Sequence, residues 1–274
     1  MTKIIYTDGC SLMAGAEHAE WRVEDNGFES CPTVWPAYMQ QKYYPHAKLY
    51  QRALTGTSNR GIRRRTIHYL NELLTEYKSS DILVCIMWTS VFRQEFRLAI
   101  EHKKSKPVKD EQGFVTLLPS DIDLDAEMYG YIADKNARKE YITANRLDRI
   151  ARWLYKDLHD PISFVLDTLY EIEATNLFLQ QKRIRSVQCF AFGDVTYKEI
   201  IKNTDMDAYT KALWKRVLQY KIMQPTKIGL NYEGFYERAF RKGFKAGPGL
   251  HPLEDAHKEW LDIVDQSFGF KLEH

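Results

Sequence analysis

Apolar runs separated by turn residues predict successive strand-to-helix units at the start of the chain. The clearest strand is ILVCIMW (82–88), an unbroken apolar run typical of a strand that is covered on both faces. Two earlier strands are predicted by KIIY (3–6) and AKLYQRAL (47–54), and turn residues follow each of them. Because strand–helix–strand crossovers are right-handed, such units predict a doubly wound, mostly parallel sheet with helices on both faces.

Helical patterns cover most of the remaining chain. Ser58 or Asn59 can cap one of these helices, and SVQCFAF (186–192) predicts a further strand of the sheet. We therefore expect an α/β core of residues 1–96 and 184–274, with a mainly helical insertion at 97–183. That insertion either serves as a lid or interface or packs as a plain helical pair. The predicted helices are 12–21, 32–43, 62–77, 138–160, 162–182, 205–220 and 251–268.

Composition agrees with an ordinary globular protein. The 274 residues are 44% hydrophobic and 28% charged, with a net charge of +2. No apolar run approaches the roughly 20 residues that span a bilayer, and the polar start is too short for a secretory signal. The four cysteines lie far apart without CxxC spacing, which favours reduced thiols over disulfides or a zinc site. We expect a cytoplasmic protein without a membrane partner.

Polar residues follow the predicted strands where a ligand would bind. Ser11 follows the first strand, Gly56 and Asn59 the second, and Thr89 the third, and His251 begins the last helix. In doubly wound sheets, ligands bind beyond the carboxyl ends of the strands. A serine here can be a nucleophile or a helix cap, the asparagine an oxyanion donor or a cap, and the histidine a general base or a plain surface residue.

Four short segments occur in the order of a known family's sequence blocks. They resemble the four sequence blocks of the SGNH (GDSL-like) hydrolase superfamily, which are the GDS nucleophile block, a glycine block, GxND and DxxHP. Cys10 stands in the place of the Asp of the GDS block. A wider set is similar to divergent SGNH-like proteins encoded by bacteriophages, namely WP (35–36), TGTSN (55–59), WTSxxR (88–93) and HPxxxxHKEW (251–260). The resemblance covers residues 1–96 and the last quarter of the chain. The four segments are GCS (9–11), GTSN (56–59), MWTS (87–90) and GLHP (249–252).

The resemblance implies a flavodoxin-like three-layer α/β/α fold and a serine ester hydrolase or acyl transferase. Ser11 would be the nucleophile and His251 its base. The backbone N–H groups of Ser11 and Gly56, with the Asn59 or Thr89 side chain, would hold the oxyanion, and no metal or organic cofactor would be needed. The substrate would be a small-molecule or carbohydrate ester, for instance one undergoing O-deacetylation, and a phage-encoded enzyme would act in the host cytoplasm.

Two departures from the family pattern keep a second function open. Thr89 stands where the family has an Asn that donates to the oxyanion, and Pro248 stands where it has the Asp that orients the histidine. His251 would then work in a dyad with the serine or take a carboxylate from elsewhere, such as Glu254 or Asp255. The alternative is a non-catalytic binding protein that keeps the SGNH scaffold.

Arg93 and Ser90 are predicted to bind substrate. Arg93, placed by the sequence in a helix after WTS, can clamp a carboxylate or phosphate, or form a salt bridge with an acid such as Glu95.

The basic segments RGIRRR (60–65) and HKKSKPVK (102–109) raise nucleic acid as a partner. The near-balanced charge of the chain disfavours a nucleic-acid partner. Basic runs of this kind are also usually solvated faces of helices. The acidic run SDIDLDAE (120–127) lacks the glycine and closing glutamate of a calcium loop, so we predict no metal site. The sequence leaves the oligomeric state open.

Overall fold

The computed structural model describes residues 1–23, 29–97, 114–122, 135–157, 161–193, 207–223, 226–228 and 231–270. A π-helical turn covers Trp153–Asp157. The strands are β1 (Ile4–Gly9), β2 (Arg22–Val23), β3 (Glu29–Ser30), β4 (Lys48–Gln51), β5 (Ile82–Trp88), β6 (Gln94–Arg97), β7 (Phe114–Leu117), β8 (Arg185–Phe190), β9 (Thr226–Ile228) and β10 (Asn231–Glu233). The helices are α1 (Ser11–Ala14), α2 (Trp35–Tyr43), α3 (Asn59–Glu76), α4 (Lys135–Ala144), α5 (Leu147–Arg152), α6 (Pro161–Lys182), α7 (Ala208–Val217), α8 (Phe235–Arg241) and α9 (Glu254–Phe268).

The central sheet of the described residues is parallel, in the order β4-β1-β5-β8. The strand at its centre, β5, covers the whole of the predicted run 82–88, and all its residues are buried. Short antiparallel pairs join β2 to β3, β6 to β7 and β9 to β10. β1 is followed in the chain by β4 on one side and β5 on the other, and in parallel sheets ligands bind beyond the carboxyl ends of the strands at such a switch in strand order.

Helices cover both faces of the sheet, which confirms the predicted α/β fold. Side chains of a strand alternate between faces. In β5, Val84 and Ile86 pack in the cluster that also holds residues of α3 and α6, whereas Cys85 and Met87 pack in the cluster that holds residues of α2 and α9. This two-sided burial is the reason that β5 is apolar throughout.

Helix α6, which lies within the predicted insertion at 97–183, forms part of one of these layers. It packs against α3, and Val165, Leu169 and Ile172 belong to the same buried cluster as β5. The segment between β5 and β8 thus contributes a crossover helix to the core. The domain boundaries themselves remain a prediction.

The helix predicted at 12–21 ends at Ala14, after one turn. Gly15 adopts a left-handed backbone with φ 73°, and a Cβ at this position would lie 2.6 Å from the Cβ of Cys31. The glycine therefore both ends α1 and lets the chain approach Cys31 closely. Residues 15–18 consequently form a loop rather than a helical face.

The helix predicted after WTS is wrong, and Arg93 lies in a turn. The Ser90 hydroxyl accepts the Phe92 N–H at 3.3 Å, and the Ser90 carbonyl accepts the Arg93 N–H at 3.3 Å. The chain then enters β6, whose antiparallel partner is β7. This pairing joins segments distant in sequence, so local periodicity could not reveal it.

The helix predicted at 138–160 is interrupted after α4. Arg146 has a left-handed backbone with φ 54°, and the Asn145 side chain donates to the Tyr141 carbonyl at 2.8 Å. An asparagine that bonds to the backbone in this way competes with helix continuation. The chain resumes as α5, so the continuous helix is replaced by shorter segments.

Candidate functional site

The turn after β1 places Ser11 at the carboxyl edge of the sheet. Gly9 ends β1, and Ser11 is the first residue of α1. A Cβ on Gly9 would lie 2.6 Å from the Cβ of Met13 and 3.0 Å from the carbonyl oxygen of Met87, so the turn needs a glycine. The backbone N–H of Ser11, at the first position of a helix, has no acceptor within that helix. Ser11 therefore combines a side-chain hydroxyl with a backbone N–H that has no acceptor within α1.

The imidazole of His251 reaches the Ser11 hydroxyl, with Nε2 2.8 Å from Oγ. A tight turn holds the histidine in place, because the Gly247 N–H donates to the His251 carbonyl at 2.9 Å. Ala246 and Pro252 form a β-bridge across the base of this turn. The two residues that the sequence proposed as nucleophile and base thus lie within hydrogen-bond distance.

Glu17 lies on the other side of the imidazole. Its Oε2 is 3.1 Å from His251 Nδ1, an ion-pair distance at which Nδ1 makes no hydrogen bond to a described residue, and its carboxylate accepts the backbone N–H groups of Gly249 and His251. A side chain at position 247 would displace it, since a Cβ on Gly247 would lie 2.5 Å from Oε2. Carboxylate, imidazole and hydroxyl stand in the order of an acid–base–nucleophile triad.

His18 ties the Glu17 loop to the histidine turn. Its Nε2 lies 3.1 Å from the Pro252 carbonyl oxygen, and its Nδ1 lies 2.9 Å from the Thr33 hydroxyl. A carbonyl oxygen can only accept, so Nε2 carries the proton and Nδ1 accepts from the hydroxyl. Burial lowers the pKa of His18 from its ordinary value, which keeps the ring neutral at pH 7. This bond supports the approach of Glu17 to His251.

The electrostatic environment leaves His251 able to accept a proton. Burial lowers its pKa from the ordinary histidine value, the Glu17 carboxylate opposes this shift, and the positive charge of Arg93 adds to it. A neutral imidazole is the form that a general base requires. A carboxylate beside Nδ1 is the group that stabilises an imidazolium in acid–base–nucleophile triads.

The loop after β4 lies next to the Ser11 turn. The Leu54 N–H donates to the Gly9 carbonyl at 3.0 Å, which brings the loop alongside the end of β1. Gly56 has a left-handed backbone with φ 77° and open space where a Cβ would stand. The part of its backbone N–H in an oxyanion site stays a prediction.

The Asn59 side chain joins the loop after β4 to the end of β5. Its Oδ1 accepts the Thr89 N–H at 2.8 Å, and its Nδ2 donates to the Thr89 carbonyl at 3.1 Å and to the Thr168 hydroxyl at 3.0 Å. The amide group is thus engaged in structural contacts, while Ser58 caps α3 by accepting the Gly61 N–H. The Thr89 hydroxyl is buried without a hydrogen-bond partner among the described residues.

Comparison with known proteins gives similarity to solved hydrolase structures. A catalytic mutant of Axe2, an acetylxylan esterase from Geobacillus stearothermophilus, is 10% identical, with a TM-score of 0.43, over 100% of this chain and 98% of the other. A putative acylhydrolase from Bacteroides fragilis is 12% identical, with a TM-score of 0.41, over 99% and 88%. LAE5, an α/β hydrolase from the metagenome of Lake Arreo, is 11% identical, with a TM-score of 0.43, over 100% and 99%. No family model and no curated protein matches the chain.

Glu17 is the site residue that sequence reasoning missed. The carboxylates proposed for His251 were Glu254 and Asp255, but Glu254 accepts from the Tyr38 hydroxyl at 2.7 Å and pairs with Lys258. Asp255 lies on an exposed face of α9, 4.0 Å from the same lysine. The one available signal was an acid two residues after a glycine that ends a short helix, which is too common a pattern to single out a site.

The basic segment RGIRRR is occupied by ion pairs within the fold. Glu171 lies against Arg60 and Arg63, Glu95 against Arg64, and the buried Asp8 against Arg65. This pairing weakens the case for nucleic acid, because phosphate binding needs arginines that are free to leave their partners. The other basic segment, HKKSKPVK at 102–109, lies outside the described residues.

The described ranges contain neither a metal-ligand cluster nor a membrane-spanning helix. There, no group of three or more His, Cys, Asp or Glu side chains is placed to hold a metal ion. Most of the acidic run 120–127 lies outside those ranges. None of the helices that the structure describes combines the length and apolar character needed to cross a membrane.

Proposed function

We propose that this chain is an SGNH-like serine ester hydrolase or acyl transferase. The observation that carries the proposal is the contact of His251 Nε2 with Ser11 Oγ at 2.8 Å, with Glu17 Oε2 3.1 Å from Nδ1. A hydroxyl, a neutral imidazole and a carboxylate in this order perform acyl transfer on several unrelated folds. The substrate that we propose is a small acylated alcohol, with an O-acetylated carbohydrate as the leading example.

The chemistry follows from the geometry. As Ser11 Oγ attacks the acyl carbon, its proton passes to His251 Nε2 and a C–O bond forms. The imidazolium, stabilised by Glu17, then protonates the leaving alcohol oxygen as the original ester bond breaks. A water or a second alcohol repeats the sequence on the acyl-enzyme, which releases the acid or a new ester and restores Ser11.

The oxyanion of each tetrahedral intermediate needs donors near Ser11. We propose the backbone N–H groups of Ser11 and Gly56 as two of them, with the Thr89 hydroxyl as a third. The amide of Asn59 serves by holding Thr89 and the Gly56 loop together, since its hydrogen atoms are engaged with Thr89 and Thr168. Ser90 stays a proposed substrate contact at the same edge.

Labelling with a fluorophosphonate, followed by peptide mapping, tests the nucleophile. We expect a single adduct on Ser11, and hydrolysis of short-chain aryl acetates and acetylated sugars that falls by about 10³-fold or more in Ser11→Ala. Ser267→Ala, which removes an exposed hydroxyl from the far end of α9, is the matched control and should keep wild-type activity.

Two results would contradict the proposal. Labelling and hydrolysis that persist in Ser11→Ala would place the activity elsewhere. A wild-type protein that binds acetylated sugars but neither reacts with the probe nor hydrolyses any ester would be the non-catalytic binding protein that the Thr89 and Pro248 departures suggest.

A further inference from the structure

The guanidinium of Arg93 lies over the sheet edge that carries Ser11. Its Nη1 is 3.5 Å from the Thr57 carbonyl oxygen, in the loop after β4, and its Cζ is 5.7 Å from the centre of the Phe192 ring, just after β8. β4 and β8 are the outer strands of the central sheet, and β1 lies between them. The charge therefore lies across the strand ends from which Ser11 projects.

Arg93 has no carboxylate within ion-pair distance in the described part of the chain, unlike the arginines at the start of α3. Arg64 lies 3.2 Å from Glu95, and Arg65 lies 2.6 Å from Asp8. Glu95, the partner that the sequence offered to Arg93, is occupied by Arg64 and by the Ser58 hydroxyl at 3.3 Å. The salt-bridge interpretation of Arg93 is therefore not supported by the described contacts.

A half-buried guanidinium retains a strong preference for an anion. It presents five N–H donors in a planar fork that matches a carboxylate or phosphate, and its hydrogen bond to the Thr57 carbonyl is long, at 3.5 Å. Burial lowers the pKa of Arg93 from its usual value, as expected of a cation that lacks a nearby countercharge. An anionic group on a ligand would supply that charge.

We propose that Arg93 binds a carboxylate or phosphate group of the ester substrate, so that the site prefers anionic esters to neutral ones. This inference rests on the proposed function of Ser11 and His251. The anion lies either on the acyl portion or on the alcohol portion of the ester. Because Arg93 lowers the pKa of His251, an anion bound to the guanidinium would offset that effect and strengthen the base when substrate is present.

Matched ester pairs test the preference. The first pair is 3-acetoxybenzoate and its methyl ester, which places a carboxylate on the alcohol side. The second is 4-nitrophenyl hydrogen glutarate and 4-nitrophenyl pentanoate, which places it on the acyl side, with the spontaneous rate subtracted. The third is 3-acetoxyphenyl phosphate and 3-methoxyphenyl acetate, which substitutes a phosphate.

We expect kcat/KM to favour the anionic member of at least one pair by about 10- to 100-fold, the range of a charge-assisted hydrogen bond. In Arg93→Met the ratio should fall towards one, and Arg93→Lys should retain part of it because the charge remains without the fork. Arg97→Met is the control, since Arg97 is an exposed arginine on the adjoining β6. Thermal unfolding checks that each variant is folded.

A second readout does not depend on turnover. Calorimetry should detect binding of 3-hydroxybenzoate or inorganic phosphate to Ser11→Ala, and the binding should weaken at least tenfold when Arg93→Met is added. The inference is overturned if no pair shows a preference, if the preference survives Arg93→Met, or if neither anion binds. Failure of the proposed function is a separate result, namely hydrolysis of neutral esters that persists in Ser11→Ala.

Discussion

At the scale of single residues, the acid of the site comes from an unexpected part of the chain. Glu17 lies in the loop after α1, whereas the SGNH sequence blocks that the chain resembles would place an Asp three residues before His251, where this chain has Pro248. A triad requires an arrangement in space and not a sequence order. A carboxylate at position 248 is therefore not needed for an acid to stand beside the His251 imidazole.

Glu17→Gln should lower kcat/KM by about 10²- to 10⁴-fold, because a neutral amide neither stabilises the imidazolium nor selects the productive tautomer of His251. Steady-state kinetics on an aryl acetate measure the effect. Glu254→Gln is the matched control, as it removes the carboxylate that the sequence offered and should change kcat/KM by less than about threefold. The reverse outcome, with Glu254→Gln impaired and Glu17→Gln active, would remove Glu17 from the site.

The pH profile follows from the pKa of His251. Burial and the charge of Arg93 lower this pKa, so the acidic limb of kcat/KM for a neutral ester should lie below the ordinary histidine value of about 6.5. Arg93→Met removes a positive charge and should move the limb to higher pH, whereas Glu17→Gln removes a negative charge and should move it to lower pH. Shifts of the same sign in both variants would contradict this electrostatic account.

At the scale of elements, glycines decide where helix α1 ends and how closely loops approach. Gly15 and Gly56 share a left-handed backbone, with φ 73° and 77°. Their surroundings differ, because a Cβ on Gly15 would meet Cys31 and Val34 at 2.6–2.7 Å whereas a Cβ on Gly56 would meet nothing within 4 Å. Alanine substitutions at these two glycines therefore distinguish the cost of a strained backbone from the cost of steric overlap.

Gly56→Ala should lower the free energy of unfolding by about 1–2 kcal/mol, the cost of a left-handed backbone with a Cβ. Gly15→Ala carries the same cost and an overlap of about 1–3 kcal/mol more. Urea unfolding of the two variants and the wild type measures the difference. Equal destabilisation would show that the space around Gly15 relaxes freely.

At the scale of the whole molecule, a buried ion pair connects the strand ends that form the site. Arg65 donates to the Asp8 carboxylate at 2.6 Å and to the Thr57 hydroxyl at 2.8 Å. Asp8 also accepts the Gly9 N–H at 2.7 Å, and both members of the pair are almost fully buried. The pair thereby links the end of β1 to the loop after β4.

Arg65→Met should lower the free energy of unfolding by about 3–5 kcal/mol, because it leaves the Asp8 charge buried without its partner. The double variant Asp8→Asn/Arg65→Met removes both charges and should be more stable than Arg65→Met alone. Arg60→Met, at an exposed position of the same helix, should cost no more than about 1 kcal/mol. Equal unfolding midpoints for all three in urea would contradict this role of the pair.

The fold was largely predictable because its main determinants are local in sequence. The apolar run 82–88 became β5 without a change of boundary, since burial on both faces demands apolar residues throughout. The helix predicted at 162–182 is observed as Pro161–Lys182. The helix predicted after WTS failed because pairing of β6 with β7 replaced it, and that pairing depends on a distant segment.

The sequence by itself determined the parallel α/β architecture, because apolar patterning expresses local requirements, and its resemblance to the SGNH sequence blocks selected Ser11 and His251 as a candidate pair. Only the tertiary structure decided that Glu17 is the acid that approaches the His251 imidazole. It also decided that Arg93 has no carboxylate within ion-pair distance among the described residues. Glu17 and His251 are 234 positions apart, and no local preference links residues at that separation. Their contact exists because the folded sheet brings the loop after β1 and the turn before α9 to the same edge.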